Sequence, residues 1–315
     1  MTDDRPIVKQ LDHIVVRVND ARSLHALLSE TFQLPVSWPI QVFPSFTSGG
    51  ITLGNVNLEI LSCGFDVSTQ DGESHVRAIV FESVSLAETV AELARRAIPH
   101  TPVLDYELKQ AGGERIAHWA NVILGKLLGD DAWLKFFVLS TRLPGYMWWA
   151  NRLKGSLIER QGMDKLFGGA LVFLVEYYYQ HFIHDPGWSE YESHEEKRAA
   201  DLAALRARGG GALGVEDMQE VVASVRDFAL ANELWRRFLA PVEPVAPGLW
   251  RIADGPAVRI VPGEVNAIQT LVWKVSSRAR AAKFLSERGM LGSVSENQLM
   301  IDRAKIYGLD VRLVE

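Results

Sequence analysis

The sequence predicts an α+β protein in which one order of elements, a strand, a helix and then further strands, occurs four times. Residues 11–20 (LDHIVVRVND) and 54–61 (GNVNLEIL) alternate apolar and polar residues, as half-buried strands do. Between them lies a run of leucines at helical spacing. The same order restarts near residues 75, 212 and 267. A repeat of this kind is an architectural signal, because each copy can close its core only against another copy.

The first repeat places two chemically useful side chains on neighbouring strands. Ile14, Val16 and Val18 share one face of the first strand, so His13 lies on the opposite face. A helix is predicted over 21–32, and residues 36–62 are predicted to form three strands with glycine-containing turns. In the last of these strands Glu59 stands between two apolar neighbours and faces the other way from them.

The second repeat begins at His75, where residues 75–86 align without a gap on residues 13–24. Its helix is predicted to end before Pro99, and Glu176 in the strand 170–177 is placed like Glu59. His13 and Glu59 are 46 positions apart, whereas His75 and Glu176 are 101 apart. We therefore expect an insertion, mainly 102–168, whose interleaved aromatic and basic residues predict amphipathic helices.

The division into domains follows from the composition of the middle of the chain. Residues 189–208 are polar and charged, so we predict an exposed helix that ends at Gly209–Gly211. The predicted first domain is 1–208, with repeats 1–72 and 73–180 and a linker at 181–208. The predicted second domain is 209–315, with repeats 209–264 and 265–315.

Composition excludes several classes of protein. A net charge of −6 argues against nucleic acid as the main partner, since phosphate binding needs a basic surface. Cys63 is the only cysteine, which excludes an intrachain disulfide and fits a reducing compartment. There is no signal-peptide pattern and no apolar run long enough to span a membrane. We expect a cytoplasmic protein.

The order of elements, with His13 in the first strand and Glu59 in the last, resembles the βαβββ module of the vicinal oxygen chelate superfamily. This superfamily includes glyoxalase I, bleomycin-resistance proteins and extradiol dioxygenases, and the ending of this chain (299–314) is similar to that of many glyoxalase-like chains. The resemblance implies paired modules round a cleft and a divalent metal (Zn, Ni, Co, Mn or Fe) bound by His13, Glu59, His75 and Glu176. A triad of the two histidines and either glutamate is the alternative set. The second half offers no His–carboxylate pair, so no metal is expected there.

The resemblance also implies a function, and three hypotheses stay open. The first is a metal-dependent lyase, isomerase or ring-cleaving dioxygenase that acts on a small, oxygen-rich, partly apolar molecule, with Glu59 and Glu176 as proton-transfer residues. The alternative is a metal-free small-molecule-binding protein of the bleomycin-resistance kind. The third is an inactive scaffold that forms a homodimer through the aromatic insertion, which otherwise serves as a lid or as core. A strand histidine can also be merely structural, and His181 with His184 is more typical of a surface turn.

Overall fold

The computed structural model describes residues 5–43, 46–63, 75–109, 113–124, 171–181 and 188–315. The predicted α+β class is confirmed, because the described residues form one sheet of fifteen strands with five α-helices. In this part of the chain no helix is long and apolar enough to cross a membrane.

The first repeat has the predicted order of elements. Asp20 caps its helix, because the carboxylate accepts hydrogen bonds from the backbone N–H groups of Arg22 and Ser23. Its elements are β1 (Val8–Arg17), α1 (Ala21–Ala26, continued by a π-helical turn at Leu27–Thr31), β2 (Val36–Val42), β3 (Phe46–Thr52) and β4 (Asn57–Cys63).

The second repeat corrects the predicted bounds of the insertion. Two strands occupy 104–123, a range that the sequence predicts as part of the insertion. In the second strand Ala120 and Val122 are fully buried and flank the partly buried Asn121. Residues 125–168 of the predicted insertion lie outside the described residues. The elements are β5 (His75–Ser83), α2 (Leu86–Arg95), β6 (Leu104–Lys109), β7 (Arg115–Ile123) and β8 (Leu171–Tyr177), followed by a 3₁₀ turn at Tyr179–His181.

The linker contains the predicted helix, α3 (His194–Ala207), but this helix is not simply exposed. Its buried side chains are His194, Lys197, Asp201 and Leu205, which form one stripe at helical spacing. Three of the four are ionisable, and this explains why the composition of the segment indicated a solvated helix.

The second half repeats the same plan twice. In each repeat a helix follows the first strand, and the last strand pairs in parallel with the first. The elements are β9 (Val215–Val225), α4 (Phe228–Leu239), β10 (Leu249–Trp250), β11 (Ala257–Pro262), β12 (Ala267–Val275), α5 (Arg278–Glu287), β13 (Leu291–Val294), β14 (Leu299–Ile301) and β15 (Val311–Val314).

Strand pairing follows one rule in all four repeats. The first strand of each repeat pairs in parallel with its own last strand, giving β1 with β4, β5 with β8, β9 with β11 and β12 with β15. The first strands of neighbouring repeats pair antiparallel, β1 with β5 and β9 with β12. Val76 and Ile268 join the two halves into a continuous sheet. The side-chain amide of Asn55 also donates to the backbone C=O of Met218 (2.9 Å) and accepts from its N–H (3.0 Å). The division into separate domains at 208/209 stays a prediction.

The two faces of the first-half sheet differ, as the alternation of β1 predicts. Ile14 and Val16 lie in the large core under the helices. The other face carries a small separate cluster of buried apolar residues, and we call this face the site face. Its members are Val15, Ala78, Val80 and Val175.

Candidate functional site

His13 and Glu59 meet on the site face. Nε2 of His13 lies 3.3 Å from Oε2 of Glu59, and their side chains are 12% and 18% exposed. The other carboxylate oxygen of Glu59 accepts a hydrogen bond from Ser48 Oγ at 2.7 Å. The prediction that these two side chains share a face and lie close together is confirmed.

A shift in the register between β1 and β5 at Leu11–His13 brings Asp12 into the same cluster. Asp12 is 3% exposed, and its Oδ2 accepts from His13 Nδ1 at 2.6 Å and from Tyr177 Oη at 2.7 Å. Nε2 of His194 lies against the other oxygen in an ion-pair contact that is not aligned as a hydrogen bond. Asp12 therefore joins β1, β8 and α3.

The electrostatics of the cluster favour charged forms. Burial lowers the pKa of His13, but hydrogen bonds to Asp12 and Glu59 outweigh burial and raise this pKa to about 9. Burial raises the pKa of Asp12, but His194 and His13 outweigh it and hold this pKa well below its usual range. Burial likewise raises the pKa of Glu59, but the hydrogen bond and the charge of His13 outweigh burial, so this pKa is lowered. His13 is thus an imidazolium between two carboxylates at neutral pH.

Aromatic rings surround these groups. Trp38 meets the His13 ring edge-on with centroids 6.4 Å apart, and its Nε1 reaches Ser48 Oγ at 3.4 Å. Tyr106 stacks on Trp119 with centroids 4.2 Å apart. Burial raises the pKa of Tyr106 to about 12, so its hydroxyl stays neutral. The site is therefore a small polar cluster set in a largely aromatic face.

Of the other two predicted ligands, one is turned away from this cluster and the other has a side chain outside the described residues. Glu176 alternates with the site-face residues Val175 and Tyr177 and so lies on the helix side, where its Oε2 accepts from the backbone N–H of Leu86 at 2.8 Å. It caps α2 and lies outside the site, contrary to the sequence-based expectation. His75 is described only through its backbone, which pairs with Arg17 at the far end of β1; its side chain lies outside the described residues.

Strand register identifies the residues that correspond to His13 and Glu59 in the other repeats. In each repeat one first-strand residue stands seven positions before the helix cap: His13 (cap 20), Ala78 (cap 85), Glu220 (cap 227) and Thr270 (cap 277). The first-strand residue two positions after each of these is paired with a residue of the last strand of the same repeat. These last-strand residues are Glu59, Phe173, Arg259 and Arg312, in the order of the repeats. The second repeat thus presents alanine and phenylalanine where the first presents histidine and glutamate.

The described residues do not fit the metal centre that the resemblance implies. Among the expected ligands whose side chains are described, only His13 and Glu59 come together, and the equivalent positions of the second repeat carry Ala78 and Phe173, whose side chains have no ligating atom. Among the described residues no group of three or more His, Cys, Asp or Glu side chains is arranged to hold an ion. In the third repeat the equivalent positions form an ion pair, Glu220 with Arg259 at 2.6 Å.

The sequence did not single out Asp12, Tyr177 or His194 as site residues. Asp12 precedes His13, and an acidic residue next to a strand histidine was a usable signal, since carboxylates commonly orient histidine rings. Adjacent residues of a strand face opposite ways, so the expectation that Glu176 faces the site implies that Tyr177 faces away from it. His194 lies in the linker and is 181 positions from His13, so only the fold brings the two together.

No sequence profile of a known protein family and no curated protein sequence matches this chain. Solved structures match over nearly its whole length. The 2,3-dioxygenase LapB from Pseudomonas sp. KL28 has a TM-score of 0.55 at 9% identity, covering 98% of this chain and 92% of its own. Homoprotocatechuate 2,3-dioxygenase from Arthrobacter globiformis has 0.52 at 10% identity, covering 100% and 81%. A hypothetical protein from Staphylococcus aureus has 0.53 at 10% identity, covering 96% and 98%. The chain therefore has the same fold as these extradiol dioxygenases.

Proposed function

We propose that the site face binds a small, planar, partly apolar molecule without a metal ion, and that His13 and Glu59 hold its polar end. The observation that carries this proposal is the pairing of one His–carboxylate cluster with Ala78 and Phe173 at the equivalent positions. A face of this composition offers hydrogen bonds to one end of a ligand and apolar contact to the rest.

The aromatic residues indicate the shape of the ligand. Trp38, Tyr106 and Trp119 present flat surfaces, and the last two are only partly buried, so they remain available for stacking. Phe173 adds a further partly buried ring next to the apolar cluster. Rings of this kind favour a planar aromatic body over a branched or highly charged one.

The polar pair indicates which groups that ligand carries. A protonated His13 donates, and ionised Glu59 accepts, so together they match two neighbouring oxygens of which one accepts and one donates. Their mutual contact of 3.3 Å is longer than the 2.7–2.9 Å of a tight charge-assisted hydrogen bond, so a ligand can compete with it. Vicinal hydroxyl groups on an aromatic ring satisfy both partners.

One neighbour in the structural comparison suggests a probe of this kind. Homoprotocatechuate 2,3-dioxygenase from Brevibacterium fuscum, in complex with 3,4-dihydroxyphenylacetate, has a TM-score of 0.54 at 8% identity. That molecule has a planar ring and two neighbouring hydroxyls. Phenylacetate, which lacks both hydroxyls, is its matched control.

The test is calorimetric titration of the purified protein with 3,4-dihydroxyphenylacetate, catechol and phenylacetate in oxygen-free buffer containing a chelator. We expect saturable binding of the dihydroxy probes and at least about tenfold weaker binding of phenylacetate. His13→Gln and Glu59→Gln should each weaken the dihydroxy probes by about tenfold or more, because each loses a hydrogen bond to a charged group. Glu220→Gln, at the equivalent position of the second half, should change affinity by less than about twofold. No saturable binding of any probe to the wild-type protein overturns the proposal.

The second candidate is a metal-dependent enzyme of the dioxygenase, lyase or isomerase type. The orientation of His13 favours it, since Asp12 holds Nδ1 and leaves Nε2 toward Glu59, as carboxylates do for metal-bound histidines. Equilibrium dialysis against Fe²⁺, Mn²⁺, Zn²⁺, Ni²⁺ or Co²⁺ decides between the two. About one ion per chain, lost in His13→Gln, replaces the first proposal with this one.

Two further expectations from the sequence, a cytoplasmic location and a homodimer, stay predictions. The single cysteine supports a reducing compartment. Light scattering coupled to size-exclusion chromatography tests for the dimer. Expression of a tagged chain in the organism of origin tests its location.

A further inference from the structure

We propose that His194, supplied by the linker helix α3, is a positioning residue of the site: it holds Asp12, and Asp12 holds His13 with Nε2 toward Glu59. The consequence for ligand binding rests on the proposed function above. The positioning itself is a property of the protein without ligand.

The His194 ring is fixed from four directions. Tyr177 stacks on it with centroids 4.9 Å apart and planes at 17°, and Trp188 lies at 6.4 Å and 20°. Tyr179 Oη is 2.8 Å from Nδ1, and Nε2 lies against Asp12. The residue is 5% exposed, so the ring is enclosed by these contacts.

Asp12 depends on this ring. One carboxylate oxygen of Asp12 already serves His13 and Tyr177, and the only described group against the other oxygen is His194. A buried carboxylate oxygen without a partner is costly, and the side chain would turn to find one. Removal of Nε2 of His194 therefore leaves this oxygen without its described partner and loosens Asp12, which orients His13.

The anchoring of α3 explains why a residue so distant in sequence can do this. The buried ammonium of Lys197 contacts both oxygens of Asp201, at 2.8 and 2.9 Å, and Ser37 Oγ at 2.8 Å. Arg198 donates to the backbone C=O of Leu11 at 3.1 Å, directly before Asp12. The helix thus holds both the side chain and the preceding backbone of Asp12.

Two substitutions separate positioning from packing. His194→Phe keeps an aromatic ring between Tyr177 and Trp188 but removes both nitrogens. His194→Gln removes the ring but keeps a donor for Asp12 and an acceptor for Tyr179. If His194 acts only through packing, His194→Gln should disturb His13 more than His194→Phe does. If His194 acts by positioning Asp12, His194→Phe should disturb His13 more.

The readout is the ring N–H signal of His13 in proton–nitrogen NMR spectra of the ligand-free protein, assigned by its loss in His13→Gln. We expect this signal, shielded from exchange by Asp12, to persist in wild type and in His194→Gln and to broaden or vanish in His194→Phe. An unchanged signal in folded His194→Phe, or a lost signal in folded His194→Gln, overturns the proposal. If the phenylalanine variant does not fold, the glutamine variant decides alone.

Titration with 3,4-dihydroxyphenylacetate links the positioning to binding. We expect about tenfold weaker binding by His194→Phe than by wild type and little change for His194→Gln. If wild type binds no probe while the NMR signal behaves as expected, the proposed function fails and the positioning role stands. If wild type binds the probe and the His13 signal is unchanged in folded His194→Phe, the positioning role is wrong and the proposed function stands.

Discussion

Phe173 of β8 occupies the place in the second repeat that Glu59 of β4 occupies in the first. Val15 lies opposite Glu59, and Val80 lies opposite Phe173, in parallel pairs with the same offset. Ala78 likewise takes the place of His13. The first-half sheet thus places Ala78 and Phe173 at the positions that the repeat relates to His13 and Glu59.

This relationship predicts that Ala78→His combined with Phe173→Glu creates a metal site. The two added donors should lie across the sheet from His13 and Glu59 and complete a set of two imidazoles and two carboxylates, which suits divalent transition metals. Elemental analysis after dialysis against Zn²⁺ should find about one ion per chain, against far less in wild type. Binding should also stabilise the variant, by about 2.7 kcal/mol at a hundredfold excess over Kd. Zinc content that survives His13→Ala in this background would show that the ion binds elsewhere.

The pKa of His13 predicts a pH-dependent contribution to stability. Its pKa is about 9 in the folded protein against about 6.5 unfolded, so the contribution is complete below pH 6.5 and is lost as the pH rises through 9. The shift corresponds to about 3 kcal/mol of interaction between His13 and the two carboxylates that face it, Asp12 and Glu59. Asp12 is in turn contacted by His194 and Tyr177. Urea unfolding of wild type and His13→Gln with chelator present, from pH 6 to 10, measures it. A difference between the two proteins that stays constant over this range contradicts the assignment.

The ion pair of Lys197 and Asp201 predicts a strongly asymmetric response to substitution. Both side chains are buried, at 2% and 9% exposure, so Lys197→Met leaves an uncompensated carboxylate and should cost about 3–5 kcal/mol. Replacing both, as Lys197→Met with Asp201→Leu, removes the stranded charge and should recover most of that loss. Chemical denaturation of the single and double variants tests this. Equal stability of the two variants would mean that Ser37 and Asn57 satisfy Asp201 without the lysine.

The cap provided by Glu176 predicts a change in stability without a change in binding. Glu176→Ala removes the acceptor for the first N–H of α2 and should cost about 1 kcal/mol. Ser85, the helix-cap residue, makes no side-chain capping hydrogen bond, so Ser85→Ala should cost less and serves as the control. Thermal unfolding gives the stabilities, and titration with 3,4-dihydroxyphenylacetate should give unchanged affinity. A tenfold loss of affinity in Glu176→Ala would return this residue to the site.

The sequence predicts the repeats and the pair of His13 and Glu59 because alternation fixes which face of a strand a side chain occupies. It misplaces Glu176, because the alignment of residues 75–86 on residues 13–24 pairs Ser85 with Ser23. The helix caps are Asp20 and Ser85, which shifts the equivalence by three residues and makes His75 the counterpart of Gln10. Alignment by caps pairs His13 with Ala78. His194 could not be found in this way, because a contact between a linker and a strand leaves no local pattern.

The amide of Asn55 has a consequence for how the protein is made. Its two hydrogen bonds to the backbone of Met218 span 163 positions of the chain. On the ribosome, the turn before β4 is synthesised 163 positions before Met218, so these two hydrogen bonds cannot form until then. We therefore expect nascent chains that stop before β9 to hold this turn loosely, and the native turn to form once Met218 has left the exit tunnel.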